Sequence, residues 1–369
     1  MVGFSATYIR ALTCLVVLGF LAACATQSNR MPLAAGDTGL AYGIPGSGNQ
    51  SGRALVLADG PAIAFSGGGQ KGAYGAGIMV GWTERGNRPE FALVTGVSTG
   101  AILALFSFLG PEHDATLETL YTRYQTRDLV RRNVLGVLLG GNAVENAAPY
   151  RALINSYVSN DIVAEIATEA RRGRKLLIGS TDLDAKAPYL WDVTAIANSG
   201  HPNRGQLIRG IIQASSAIPA VFPPVVIPIT DKARQMRDRL HVDGGVTRPF
   251  VFRPILQQRA TRHSQSYLVL NEFVAPQFKP VTPNLRGVAG AALATMITFS
   301  TRTELLLFAD EAARTGLPWR GTSVPVSFTA TPKQEFDPVY MRQLFDLGRG
   351  IAAGGDVWTL NANTAREWR

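Results

Sequence analysis

Two kinds of apolar segment alternate along most of this chain. Short runs rich in Val, Ile, Leu and Phe, bounded by Gly, Pro or polar residues, read as strands buried on both faces. They lie at 61–66, 91–95, 175–181, 189–193, 240–242, 266–273 and 323–329. Longer stretches with helical spacing lie at 72–86, 101–109, 205–215, 285–315 and 338–352, and a further helical stretch runs from Leu117 to about Arg172. Strands alternating with helices predict an α/β fold, with a mostly parallel central sheet flanked by helices on both faces, in one domain over 54–369. An apolar insert at 134–141, glycines interleaved with aliphatic residues, interrupts the long helical stretch. Core packing and a mobile lid are both open readings of it.

The first 53 residues follow a different pattern. Arg10 is the only charged side chain before Cys24, and it precedes an apolar run at 11–20 that is too short to span a bilayer comfortably. The run closes on Leu21-Ala22-Ala23-Cys24, which resembles the lipobox of bacterial lipoproteins, where the signal is cut before a lipidated cysteine. Residues 1–23 are therefore expected to be a signal peptide and Cys24 the lipidation site. Residues 24–53, rich in Gly, Ser, Asn and Pro, read as a flexible tether with a reach of roughly 30 Å. Ala25 follows the cysteine where an aspartate would favour inner-membrane retention. By resemblance to Gram-negative sorting, the expected address is the cell envelope, the outer membrane before the inner one.

Composition narrows the partners. The only cysteines are Cys14 and Cys24, so a mature domain has no thiol to pair and depends on its core. The formal charge of +9 invites a nucleic-acid reading. The basic residues are scattered, however, and are neither interleaved with aromatics nor set along one reading helix, so no nucleic-acid partner is expected. A basic face toward anionic lipid fits better. No His, Cys and carboxylate cluster has ligand spacing, so neither a metal nor another cofactor is expected.

Chemistry concentrates at Gly96-Val97-Ser98-Thr99-Gly100, between a predicted strand and a predicted helix. A serine between two glycines on such a turn is a nucleophile elbow, its hydroxyl exposed above the sheet, and Gly96 and Gly100 leave room for the backbone to fold back on itself. Ser66-Gly67-Gly68-Gly69-Gln70-Lys71-Gly72 links another strand to a helix, gathering backbone N–H groups at a positive helix end. It lacks the Lys-Ser/Thr ending of a phosphate-binding loop, since Ala73 and Tyr74 follow Gly72. An anion hole for a tetrahedral oxyanion is the better reading.

The base is less obvious. Past the signal the histidines are His113, His201, His241 and His263, and only His263 comes late enough for a Ser-acid-His order. It sits in a polar turn, whereas His241 reads as a strand residue with a structural role. Asp243 ends a strand and is followed by Gly244 and Gly245, which leave room for its carboxylate to approach a site.

Taken in order, Gly67-Gly68-Gly69-Gln70-Lys71-Gly72, Gly96-Val97-Ser98-Thr99-Gly100 and Asp243-Gly244-Gly245 resemble the glycine loop, elbow and D-G-[GA] motif of patatin-like phospholipases. The segment 214–224 and Thr181-Asp182-Leu183-Asp184 are similar to two further family patterns. The resemblance is close over roughly 54–273. It implies a Ser–Asp dyad without histidine: Ser98 as the acyl-accepting nucleophile, Asp243 as the base, and Gly67, Gly68 and Gly69, with Lys71 nearby, around the oxyanion. The substrates it implies are esters of membrane lipids. Desolvation would have to raise the Asp243 pKa for a carboxylate to serve as base. Alternatives are a general esterase or thioesterase with the same dyad, and a non-catalytic lipid-binding lipoprotein.

Overall fold

The backbone carries an eight-stranded mixed sheet. This computed structural model describes residues 58–129, 131–132, 145–219, 221–230, 236–252, 255, 265–275, 278, 280–355, 357–361 and 364. The lipobox, the tether, His263 and the insert at 134–141 lie outside the described residues.

The strands are β1 (Ala62–Phe65), β2 (Leu93–Val97), β3 (Lys175–Asp182), β4 (Ala187–Asp192), β5 (Val225–Thr230), β6 (Met236–Asp243), β7 (Ser266–Leu270) and β8 (Trp319–Ser323). Their spatial order is β8-β7-β1-β2-β3-β6-β5, with β4 paired to β3. From β8 to β3 every pairing is parallel. Beyond β3 the sheet turns antiparallel, in the β3–β4, β3–β6 and β5–β6 pairs. β1 and β2 are buried along their whole length, as near-continuous apolar runs require when both faces are covered.

The helices are α1 (Gly72–Glu84), α2 (Thr99–Leu109), α3 (Asp114–Thr122), α4 (Thr126–Leu129), α5 (Ala148–Tyr157), α6 (Asn160–Arg171), α7 (Val193–Ala197), α8 (Arg204–Ser215), α9 (Leu285–Thr315) and α10 (Pro338–Gly354). One apolar cluster joins α1, α2, α6, α8 and α10 to the sheet, and a second joins α9 to Phe250, Val251 and Phe252. α1 and α10 touch backbone to backbone: a Cβ on Gly77 would lie 2.0 Å from the Phe345 carbonyl oxygen, and one on Gly348 2.3 Å from that of Tyr74.

Three sequence expectations change. The stretch from Leu117 to Arg172 is not one helical run but α3, α4, α5 and α6, with a short antiparallel ladder of 131–132 on 145–146 between α4 and α5. Ser159 restarts the helix at α6 by accepting the Ile162 N–H on its side chain. The last strand ends at Ser323 instead of beginning there. Val324 donates its N–H to the Glu272 carbonyl, and Pro325 has none to give. The short strand at 240–242 is part of the eight-residue β6, whose partner β5 has no counterpart among the predicted strands. Pro228 in β5 and the charged run Arg237-Asp238-Arg239 in β6 hide the pair from a periodicity reading. The structure admits Pro228 because β5 is an edge strand. It admits Arg239 because Asp182 meets its buried guanidinium, Nε donating to Oδ2 at 2.7 Å.

Candidate active site

β3 brings the two halves of the site together. Its first half pairs with β2, where Gly179 stands opposite Val97, and the next residue, Ser180, stands opposite Asp243 of β6. Both β2 and β6 lie on the side of β3 away from β4, so their C-terminal ends meet head to head. The turn after β2 carries Ser98 and the last residue of β6 is Asp243. The carboxylate thus comes from an antiparallel strand that ends against the nucleophile's strand, not from a parallel strand at the sheet's common edge. A Cβ on Gly244 would lie 2.6 Å from the Gly179 carbonyl oxygen and 2.8 Å from Val97. The meeting of strand ends is therefore what requires glycine after Asp243.

Ser98 has φ 57° and ψ −128°, a backbone conformation that side-chain-bearing residues rarely adopt. Neighbours over-determine it. The Ser98 N–H donates to Ser215 Oγ at 2.9 Å, and Ser215 Oγ donates to the Gly179 carbonyl at 2.6 Å. The Ser98 carbonyl accepts from the Ala101 N–H and from Ser216 Oγ. Backbone packs on both flanks: a Cβ on Gly96 would lie 2.2 Å from the Gly100 carbonyl oxygen, and one on Gly100 2.5 Å from that of Ser66.

Ser98 Oγ donates to Asp243 Oδ2 at 2.6 Å. The other carboxylate oxygen accepts the Gly245 N–H at 2.7 Å, the Asp243 N–H donates to the Ala217 carbonyl, and Thr181 Oγ1 donates to the Asp243 carbonyl. Burial pushes the Asp243 carboxyl up to about 6, against the opposing pull of its hydrogen bonds from Ser98 and Gly245. No histidine reaches Ser98 among the described residues. His113 meets Glu165, and His241 places Nδ1 3.0 Å from Ser180 Oγ with Nε2 buried and unpartnered. Burial lowers His241 to about 4, so it stays neutral across the physiological range.

The glycine loop lies directly against the serine, since a Cβ on Gly67 would come within 3.2 Å of Ser98 Cβ. The Gly67 N–H, expected to serve the oxyanion, is committed to the Pro249 carbonyl at 2.9 Å. Among the described residues no acceptor takes the amides of Gly68 (φ 153°) and Gly69 (φ 56°). Lys71 is placed with Nζ 2.9 Å from Glu272 Oε1, paired rather than free for a developing charge.

Some residues here carried no sequence signal strong enough to assign them a role. Asn271, at the end of β7, pins the start of the glycine loop: its Nδ2 donates to the Ser66 carbonyl and its N–H to Ser66 Oγ, both at 2.8 Å. Ser215 was visible only as part of a motif. Tyr150 lies in the cleft that opens from Ser98, its hydroxyl buried without a hydrogen bond of ordinary geometry and pushed up to about 12 by burial. That cleft, about 660 Å³ with its mouth, is lined by Gly69, Ser98 and Ser216 together with Ile102, Leu120, Leu153, Ile154, Phe222 and Met341. A mostly apolar cleft with a few polar groups beside the nucleophile suits an apolar ligand with one reactive polar centre.

No curated protein matches the chain. Among solved structures, the crystal structure of VipD from Legionella pneumophila is similar at 14% sequence identity, with a TM-score of 0.38 over 82% of this chain and 70% of that one. The family model described as patatin-like phospholipase matches residues 63–256. That span runs from β1 through the glycine loop and elbow to the residues after Asp243, and it is more than half of the sequence. By that match the chain belongs to the patatin-like phospholipase family, a family of lipid acyl hydrolases.

Proposed function

We propose that this protein hydrolyses carboxylic esters of membrane lipids through an acyl-enzyme on Ser98, with Asp243 as general base. The observation that carries the reading is the 2.6 Å hydrogen bond from Ser98 Oγ to Asp243 Oδ2, at a strained elbow beside an apolar cleft. Ser98 Oγ attacks the ester carbonyl carbon while its proton passes to Asp243. The carbonyl oxygen, now an oxyanion, takes the amides of Gly68 and Gly69. Collapse breaks the ester C–O bond, and Asp243 returns the proton to the departing alcohol. Water then attacks the acyl carbon while Asp243 takes its proton, and collapse breaks the acyl–Oγ bond as Asp243 returns that proton to Ser98 Oγ, which restores Ser98 and releases the fatty acid. A buried carboxyl at about 6 is a better base near neutrality than one at its ordinary value.

The chain's start supports export and anchoring through lipidated Cys24 at the outer membrane, which would keep the cleft near lipid. The test compares fatty-acid release from phospholipid vesicles with hydrolysis of a soluble nitrophenyl ester and an acyl thioester. The proposal expects hydrolysis of vesicle lipid that disappears in Ser98→Ala. Turnover confined to the soluble ester or the thioester would replace it with a general esterase or thioesterase. No turnover of any of the three would leave a lipid-binding role.

A further inference from the structure

α9 is far longer than the sheet it crosses. At 1.5 Å per residue its 31 residues span about 46 Å, whereas the five-residue strands β7 and β8 span about 17 Å. As the crossover between two parallel strands, α9 begins at the sheet's C-terminal edge, the edge where Ser98 follows β2. From residue 287 on, burial begins at Thr301 and continues through Leu305, Phe308 and Ala312. None of residues 287–300 is buried. The first half of the helix, about 24 Å of it, therefore overhangs the edge at which the cleft opens.

The overhang is not polar. Val288, Met296 and Phe299 are each more than half exposed. At 100° per residue they share one stripe, opposite to Thr301, Leu305, Phe308 and Ala312. Phe278 (96% exposed) and Val281, just before the helix, extend the apolar surface toward its tip. Between Glu272 and Glu304 the sequence carries Lys279, Arg286 and Arg302 and no acidic residue. Arg302 sits over the exposed Phe299 ring, 5.6 Å from its centroid. No helix among the described residues is long and apolar enough to cross a membrane.

We propose that the overhanging half of α9, with Phe278 and Val281 before it, is a docking surface for an anionic lipid bilayer. A large exposed apolar surface marks a contact site. A half-helix with an apolar stripe, cations and no acidic residue suits the boundary between headgroups and acyl chains. The charge selects an anionic bilayer over a second copy of this chain, whose matching surface would bring like charges together. Docking there would set the C-terminal edge, and so the mouth of the cleft, at the lipid surface. This does not depend on the proposed hydrolysis.

The test uses the full chain carrying Ser98→Ala, Cys14→Ser and Cys24→Ser, with one spin label attached at Met296→Cys. Vesicles rich in phosphatidylglycerol should raise the label's exposure to oxygen and lower its exposure to a water-soluble nickel complex severalfold. A label at Asn87→Cys, exposed between α1 and β2 at the opposite edge of the sheet, should not change. A Met296→Cys label that stays in water on those vesicles overturns the proposal. So does one shielded before any lipid is added, which would mean self-association. In chains with Ser98 intact, Phe299→Asp should lower vesicle hydrolysis by about tenfold, the scale of one aromatic side chain's burial, and spare a soluble ester.

Discussion

The parallel and antiparallel halves of the sheet each supply one member of the Ser98–Asp243 pair, and they differ in how they hold it. The parallel half presents Ser98 through backbone geometry: a strand end, a strained turn, and glycines pressed against carbonyls. The antiparallel half presents Asp243 through side chains. Arg239 is locked to Asp182, Thr181 bonds the Asp243 carbonyl, and the carboxylate itself caps the Gly245 N–H. The seam between them is narrow, spanning Gly179, Ser180, Ser215 and Gly244. The nucleophile is thus fixed by a backbone conformation that packing and the Ser215 hydroxyl hold in place, and the base by a network of side chains. Substitutions in the two halves should fail differently.

The largest effects come from removing either member. Ser98→Ala and Asp243→Asn should each lower kcat/KM by about a thousandfold or more, measured on a soluble ester. Ser98→Gly should be equally inactive yet raise Tm, because glycine adopts φ 57° without strain that costs about 1–3 kcal/mol in other residues. An unchanged Tm would show that the elbow stores no strain. Next is the oxyanion loop. Gly68→Ala places a Cβ about 2.0 Å from the Asn271 carbonyl oxygen and should cost about a hundredfold in kcat.

At the seam, Ser215→Ala strips the Ser98 N–H of its acceptor and the Gly179 carbonyl of its donor. The expected result is about tenfold lower kcat together with about 1–3 kcal/mol lower stability by urea denaturation. A loss of stability alone would mean that the seam does not position the nucleophile. The smallest effect should come from Tyr150→Phe. It removes a buried hydroxyl that makes no hydrogen bond of ordinary geometry, so folding stability should hold or rise slightly. Any rise in KM would then report a contact between that hydroxyl and the bound ester.

Acidity gives the comparison a sign. Asp243 must be ionised to accept the proton, and its pKa is raised by burial to about 6. Activity should be full above that value and fall as pH drops through it. His241 titrates near 4 and cannot produce such a limb. A limb near the ordinary carboxylate value would show that Asp243 is more hydrated than the structure has it.

The two halves also differ in what the sequence discloses. Ala62–Phe65 and Leu93–Val97 are mostly apolar because both faces are covered, so these two strands and the elbow can be read from residue type alone, whereas β8, with Arg320 and Thr322 in it, cannot. α9 matches its expected bounds for a similar reason, with Asn284 capping one end and Gly316 in a left-handed conformation closing the other. β5 and β6 are not legible, because their proline and charges are tolerated only through tertiary partners, an open edge and Asp182. The site follows the same division. Ser98, the glycine loop and Asp243 stand out by motif, whereas the commitment of the Gly67 amide to Pro249, of Lys71 to Glu272, and the clamp from Asn271 depend on contacts far apart in sequence.

The most direct test of the central claim is the rate at which a fluorophosphonate probe labels the protein as a function of pH, with the modified residue located by mass spectrometry. The account predicts one adduct, on Ser98, forming at a rate that falls below pH about 6. It also predicts that labelling slows by about a hundredfold or more in Asp243→Asn and is unchanged in His241→Ala and His263→Ala. An adduct elsewhere, or wild-type labelling in Asp243→Asn, would contradict it.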